Sequence, residues 1–291
     1  MASTKTEEPA KNTLGDNGIS FNNLYFNNGA FIEKYIPILR GSVFVYVFNV
    51  GIYRGELSNG TAKIKIPGLN AGTYRGIIIY DGGLNFNKPT KLITFKVLKQ
   101  NAAIKAGNKA YLINYGGKYG ITLKDANGKA ISGKKLDFIM NGKKIESSTT
   151  NANGVATIKL TAKILKAVKS GKKNLVIKFS DNNYNPVSIS AKITVNKEKT
   201  KIIAKNKKFK KSQKTKKYTI SLKNSKGKAV KKVKVSLKIK GKTYTAKTNT
   251  KGKAVFKIKK LNKKGTFKAT VTFKGNTYYK KVSKKVKIKI R

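Results

Sequence analysis

The sequence predicts an all-β protein made of tandem antiparallel β-sandwiches, and three observations carry that prediction. Val233, Val235, Leu237 and Ile239 alternate with Lys234, Ser236 and Lys238, the two-residue period of a strand with one apolar face. Clusters ending in or holding Gly, such as NSKG (224–227), NTKG (249–252) and KGNT (274–277), separate such runs and supply turns. The whole pattern then repeats. YGITLKDANGKAISG, from Tyr119, returns 99 residues later as YTISLKNSKGKAVKK, from Tyr218.

Taken along the chain, MASTKTEEPAKNTLGDNG is polar and lacks the apolar core of a signal peptide. Residues 1–19 read as a linker or disordered N-terminus, and the chain as intracellular or as a piece of something longer. Residues 20–99 read as a diverged first unit, 100–198 as a second and 199–291 as a third. The window YIPILRGSVFVYVFNVGIY is the most apolar, but Pro37, Arg40, Gly41 and Asn49 interrupt it, so it reads as strands and not as a membrane span. In each unit a Gly precedes an aromatic by eight residues: Gly72 and Tyr80, Gly171 and Phe179, Gly265 and Phe273. LSNGTAKIKI (57–66) fills the slot of TTNANGVATIKL (149–160) and TNTKGKAVFKIK (248–259). The constant offset also aligns Ile104 with Ile203 and Gly142 with Gly241. Leu136, Phe138 and Met140 are expected in the core, as are Val235, Leu237 and Ile239 one repeat later. TAKILKAVKSG (161–171) departs from strand periodicity; Ile164, Leu165 and Val168 predict one or two helical turns.

LNAGTYRGIIIYDG (69–82) and NKKGTFKATVTFKG (262–275) keep one Gly-Thr-aromatic frame but differ in charge. A strand with one buried face explains the constancy, because only its inward side must stay apolar. The outward side is free to change.

Charge is the dominant feature. Lys and Arg number 66 against 11 acids, a net charge of +55. Residues 199–291 hold 36 of those basic residues and no acid, and only Arg40, Arg54, Arg75 and Arg291 are arginines. Lysine is a flexible point charge, whereas bidentate recognition favours arginine, so the pattern points to a field and not to a reading head. Cys, His and Trp are absent, which removes thiol nucleophiles, disulfides, imidazole bases and the usual zinc ligands.

LKDANGKAISGKKLDFIMNG followed by TTNANGVATIKL resembles bacterial Ig-like domains of the invasin and intimin type. AGTYRGIIIYDGG and the acid-free last unit resemble Ig-like repeats of adhesin-like surface proteins of methanogenic archaea. The resemblance covers about residues 30–291. It implies tandem Ig-like β-sandwich domains in a modular, non-catalytic stalk at the cell surface or outside the cell, often part of a longer chain.

Catalysis and metal binding find little to build on. Asp125 and Asp181 fall in predicted turns, and Asp137 alternates with Leu136 and Phe138, so it is expected to face outward. Calcium at Asp125 or Asp181 would need more oxygen donors than their neighbours supply. A Lys–Asn cross-link of the kind some Ig-like surface modules form needs a buried acid, which the third unit lacks. No cofactor is expected. Tyr278 and Tyr279 should point one out and one in, and KNKKFKKSQKTKK (205–217) reads as a solvated loop between the first two strands of the third unit.

Two function classes remain. In the favoured one, the basic C-terminal unit holds an anionic cell-wall or surface polysaccharide, on its own or another cell, through Lys207, Lys208, Lys210, Lys211, Lys263, Lys264, Lys268 and Lys274. In the other, the same lysine field binds nucleic acid without sequence preference.

Overall fold

The computed structural model describes residues 19–21, 41–58, 61–81 and 90–291. Apart from Ile19, the N-terminal linker expected over residues 1–19 lies outside them, as do residues 22–40. The chain folds as three all-β units in sequence, each with its own core. Buried side chains cluster separately within residues 43–97, 104–195 and 202–290.

The first unit contains β1 (Ile19–Phe21), β2 (Ser42–Val47), β3 (Gly51–Ser58), β4 (Thr61–Ile64), β5 (Gly72–Asp81) and β6 (Thr90–Val97). Its described strands form one six-stranded sheet in the order β1-β4-β3-β2-β5-β6. Strand β3 pairs with β2 over Gly51–Glu56 and then with β4 through Leu57 and Ser58. Val43, Val45 and Val47 share a core with Ala62 and Ile64, so the sheet folds back over its own apolar face.

The second unit contains β7 (Ala102–Ala106), β8 (Lys109–Leu112), β9 (Gly116–Asp125), β10 (Lys135–Met140), β11 (Lys143–Thr149), β12 (Val155–Thr161), α1 (Ala162–Val168), β13 (Gly171–Phe179) and β14 (Val187–Asn196). A three-stranded sheet, β12-β9-β7, faces a five-stranded sheet, β11-β10-β13-β14-β8. The third unit repeats this with β15 (Thr200–Ile203), β16 (Lys207–Phe209), β17 (Thr215–Asn224), β18 (Lys234–Ile239), β19 (Lys242–Lys247), β20 (Lys253–Lys259), β21 (Gly265–Phe273) and β22 (Val282–Ile290). Its sheets run β15-β17-β20 and β16-β22-β21-β18-β19. Two sheets with this order, antiparallel except at the edge strands β8 and β16, form the Ig-like sandwich.

Alternation places the expected core inside. Leu136, Phe138 and Met140 are buried, as are Val235, Leu237 and Ile239. The Gly–aromatic pairs mark the first and last residues of β13 and β21 and, in β5, the first residue and the last but one. Helix α1 matches the predicted turns. Thr161 caps it by accepting from the Ile164 amide at 3.3 Å, and Leu165 and Val168 bury its apolar side.

Two expectations need correction. Ile104 pairs opposite Leu123, but its counterpart opposite Leu222 is Ile202, which is buried while Ile203 is 40 % exposed. The offset is therefore 98 residues at the first strand and 99 at Tyr119 and Tyr218, which places an insertion between them. Residues 205–217 are also not a simple loop. Lys207–Phe209 pairs in parallel with β22, and Phe209 and Lys216 are buried. Like β8 on β14, β16 covers an edge that would otherwise present unpaired backbone groups.

Candidate functional site

The second and third units meet around one acid. Glu198 is the last acid in the sequence, and its side chain is fully buried. Its main chain belongs to the third unit: the amide donates to Tyr278 O, and its carbonyl accepts from the Lys280 amide, both at 2.8 Å. Its carboxylate faces the second unit as well. Oε1 accepts from the Tyr115 and Ser225 hydroxyls and Oε2 from Asn114 Nδ2, each at 2.8 Å. Burial alone would raise this carboxyl, but the hydrogen bonds from Asn114, Ser225 and Tyr115 outweigh it and hold it below its ordinary value. Burial and the neighbouring Glu198 push the Tyr115 hydroxyl up to about 12.

The turn chemistry of the third unit makes this joint possible. In the second unit Asp125 Oδ1 caps its turn by accepting from the amides of Asn127 and Lys129, both at 2.9 Å. Asn224 stands one repeat later and accepts from Lys226 and Lys228 at 3.1 and 2.8 Å. An Asx turn needs only the side-chain oxygen, so the charge is dispensable. The Asn224 amide then donates to the Tyr115 hydroxyl at 3.0 Å, where a second carboxylate would repel Glu198. Lys226 Nζ lies 3.9 Å from the Tyr115 ring centroid, and Lys166 of α1 lies 5.2 Å from that of Tyr278.

The first and second units are linked by neutral groups. Asn183 Oδ1 accepts from the Ala71 amide at 2.9 Å, and Asn183 Nδ2 donates to Asn70 Oδ1 at 2.7 Å. Beside them Lys134 pairs with Asp181 at 2.7 Å.

The outward face of the equivalent sheet changes from unit to unit. In the first it carries an apolar row beside the exposed Arg54–Glu56 pair: Ile52 (67 % exposed) sits opposite Tyr46, Tyr46 opposite Ile77, and Ile77 opposite Leu92 (63 % exposed). In the second, Ile139 and Val176 lie in a trough with Lys172, Asn174, Lys178 and Lys192. In the third, the face carries lysine, threonine and serine. Lys208 sits opposite Lys289, Lys268 opposite Lys287 and Lys234 opposite Lys247. Like charges directly opposite one another destabilise a sheet, and no acid in the unit relieves them.

The eight expected lysines are exposed but do not gather in one place. Lys208 and Lys268 belong to the outer sheet face. Lys207 donates to Lys217 O at 3.4 Å and lies 5.3 Å from the Phe209 ring centroid. Lys210, Lys211 and Lys264 line one concavity with Ser212, Asn262 and Arg291, and Lys263 shares its bend. Lys274 stands past the other end of β21. Ten residues of strand, at roughly 3.3 Å each, put it about 33 Å from Lys264.

Asp137 and Asp181 have structural occupations. Asp137 lies on the outward side of β10 between buried Leu136 and Phe138, and it pairs with Lys144 at 2.7 Å. Hydrogen bonds from Lys144 and Ser147 hold its carboxyl below its ordinary value. At Asp181, burial opposes the shift, and the bonds from Lys134 and the Asn183 amide still hold its carboxyl low. Tyr278 is exposed and Tyr279 half-buried against the core.

Sequence reasoning missed Glu198, Lys216, Asn262 and Arg291. Glu198 alone carried a signal, as the last acid before an acid-free stretch.

No protein-family model matches the chain, and no curated protein matches it in sequence. Among solved structures, a Ca2+-stabilised adhesin with which an Antarctic bacterium binds ice aligns at 15 % identity and a TM-score of 0.25. That alignment covers 87 % of this chain and 66 % of the other. A tetra-tandem repeat from the extending region of a large adhesion protein gives 12 % identity and a TM-score of 0.37, covering 86 % and 66 %. A three-Ig segment of titin gives 12 % and 0.33, covering 86 % and 87 %. At these values no role carries over to this chain.

Proposed function

We propose that the chain is a non-catalytic, adhesin-like element of the cell surface or extracellular space. Its first two units serve as a stalk, and its third holds an anionic cell-wall or surface polysaccharide electrostatically. The observation that carries this reading is the lysine-on-lysine face of the third unit. The fold needs only an apolar inner side, and the first unit shows that the outer side of the same sheet tolerates Ile, Tyr and Leu. Placing lysines opposite one another costs stability, and a polyanion laid across the strands recovers it. No helix among the described residues is long and apolar enough to cross a membrane.

The full chain is titrated at physiological salt against an anionic wall polysaccharide, single-stranded DNA of equal charge density and a neutral glycan. The reading expects the polysaccharide to bind at least as well as the DNA, and the neutral glycan not at all. A strong preference for DNA would make the protein a nucleic-acid binder instead. Binding to the neutral glycan would point to a sugar-specific site.

A further inference from the structure

The strand registers make the far end of the third unit the counterpart of the end of the second that receives Glu198. Tyr111 pairs with Val195, as Phe209 does with Ile290. The bond from the Ile113 amide to Asn196 O recurs as the bond from the Lys211 amide to Arg291 O, at 2.9 and 2.7 Å. Lys210, Lys211, Ser212 and Arg291 thus stand where Leu112, Ile113, Asn114 and Asn196 stand one unit earlier. At that earlier end Asn114 donates to a buried carboxylate.

Two changes reshape this end in the third unit. The second unit connects β12 to β13 through α1, whereas the third connects β20 to β21 through a short bend over residues 260–264. Lys210, Lys211, Ser212, Asn262, Lys264 and Arg291 line a concavity of about 580 Å³ there. Lys216 is buried beside it, where the second unit has Gly117. Its ammonium donates to Gln213 O at 2.7 Å and to Asn262 Oδ1 at 3.4 Å.

A planar amide whose oxygen turns toward Lys216 presents its NH2 on the opposite side. Asn262 therefore adds a donor to a lining that already has four full positive charges and a hydroxyl. No acidic side chain occurs in residues 199–291 to neutralise them. Burying Lys216 without an acidic partner is costly, and its contact with Asn262 Oδ1 favours this orientation of the amide.

We propose that this concavity is a carboxylate site that takes the sugar-acid groups of an acidic polysaccharide. The proposal rests on the anchor reading above and gives its diffuse field a specific point of attachment. The preceding unit supplies the chemistry, since its equivalent end already holds a carboxylate. The exposed Leu112 and the core residue Ile113 give way to two exposed lysines, which makes this end cationic and suits a hydrated polyanion.

The test compares two triple variants of the full chain with equal loss of charge. One is Lys211→Ala with Lys264→Ala and Arg291→Ala. The other is Lys223→Ala with Lys253→Ala and Lys257→Ala, on the opposite sheet. Affinity is measured for an oligogalacturonate and for a polyphosphate of matched charge, with thermal unfolding as a check on folding. A form with uncharged residues after Arg291 is measured alongside, so that a main-chain carboxylate does not occupy the site. The site variant is expected to lose at least about tenfold in oligogalacturonate affinity, the worth of one charge-assisted hydrogen bond, and the control variant clearly less. Equal losses would overturn the site and leave the diffuse anchor standing. Tighter polyphosphate binding through the same three residues would overturn the carboxylate assignment. Failure of the unaltered chain to bind either polymer, or any wall polyanion, would remove the anchor reading and the site with it.

Discussion

The Tyr115 hydroxyl of the second unit donates a 2.8 Å hydrogen bond to Glu198, a residue whose main chain is already bonded into the third. Asn114 and Ser225 complete the set, so donors from both units converge on one buried carboxylate. Such a joint holds two sandwiches at a set angle, because any rotation leaves a buried charge without partners.

Replacing Glu198 with Gln is expected to loosen this joint. The Gln NH2 would face the Asn114, Tyr115 or Ser225 donors, leaving a buried donor unsatisfied at a cost of about 1–3 kcal/mol. Small-angle scattering should show a wider spread of inter-unit distances, with each sandwich still folded. Scattering identical to that of the unaltered chain would contradict the clamp.

Acid should have the same effect. The Glu198 carboxyl is held below its ordinary value in the folded chain, so protons bind the opened joint more readily than the closed one. Its contribution is fully present above the ordinary glutamate range and is lost as pH falls through the lowered folded value. The second and third units should separate in scattering only below the ordinary carboxylate range, and Glu198→Gln should abolish that step. Asp181 shifts in the same direction beside the first joint, so acid should loosen both.

Leu237 is fully buried between the sheets of the third unit. Its truncation to Ala should cost about 2–5 kcal/mol, measured as a shift in denaturant midpoint for that unit. The second unit has a separate core and should keep its own midpoint.

Much of this fold was legible because its signals are local. The alternation of Leu136, Phe138 and Met140 fixes their side of β10, and the Gly before each aromatic fixes where β13 and β21 begin. What stayed hidden depends on distant partners. Strand β16 has three residues, two of them lysines, and only its pairing with β22 makes it a strand and buries Phe209. The slip that misaligned Ile104 with Ile203 comes from an insertion that local repeats cannot place. The Glu198 joint and the concavity under Arg291 draw on segments far apart in the chain, so no spacing in the sequence announces them.

Lys268 faces Lys287 across β21 and β22. Changing Lys268 to Glu should replace repulsion by attraction and stabilise the third unit by about 0.2–1 kcal/mol. The same change should weaken polyanion binding. A variant that gains stability and loses binding would mark that lysine as kept for function. A loss of stability, or unchanged binding, would contradict this reading of the face.

The salt dependence of polysaccharide affinity separates a third unit that binds through charge from one that binds through a sugar-specific site. As the Debye length shrinks to about 8 Å at physiological ionic strength, a lysine field should lose affinity steeply and linearly on a logarithmic plot. Neutralising Lys208, Lys268 and Lys287 together should make that slope shallower. Affinity that does not change between low and physiological salt would rule out binding by a lysine field.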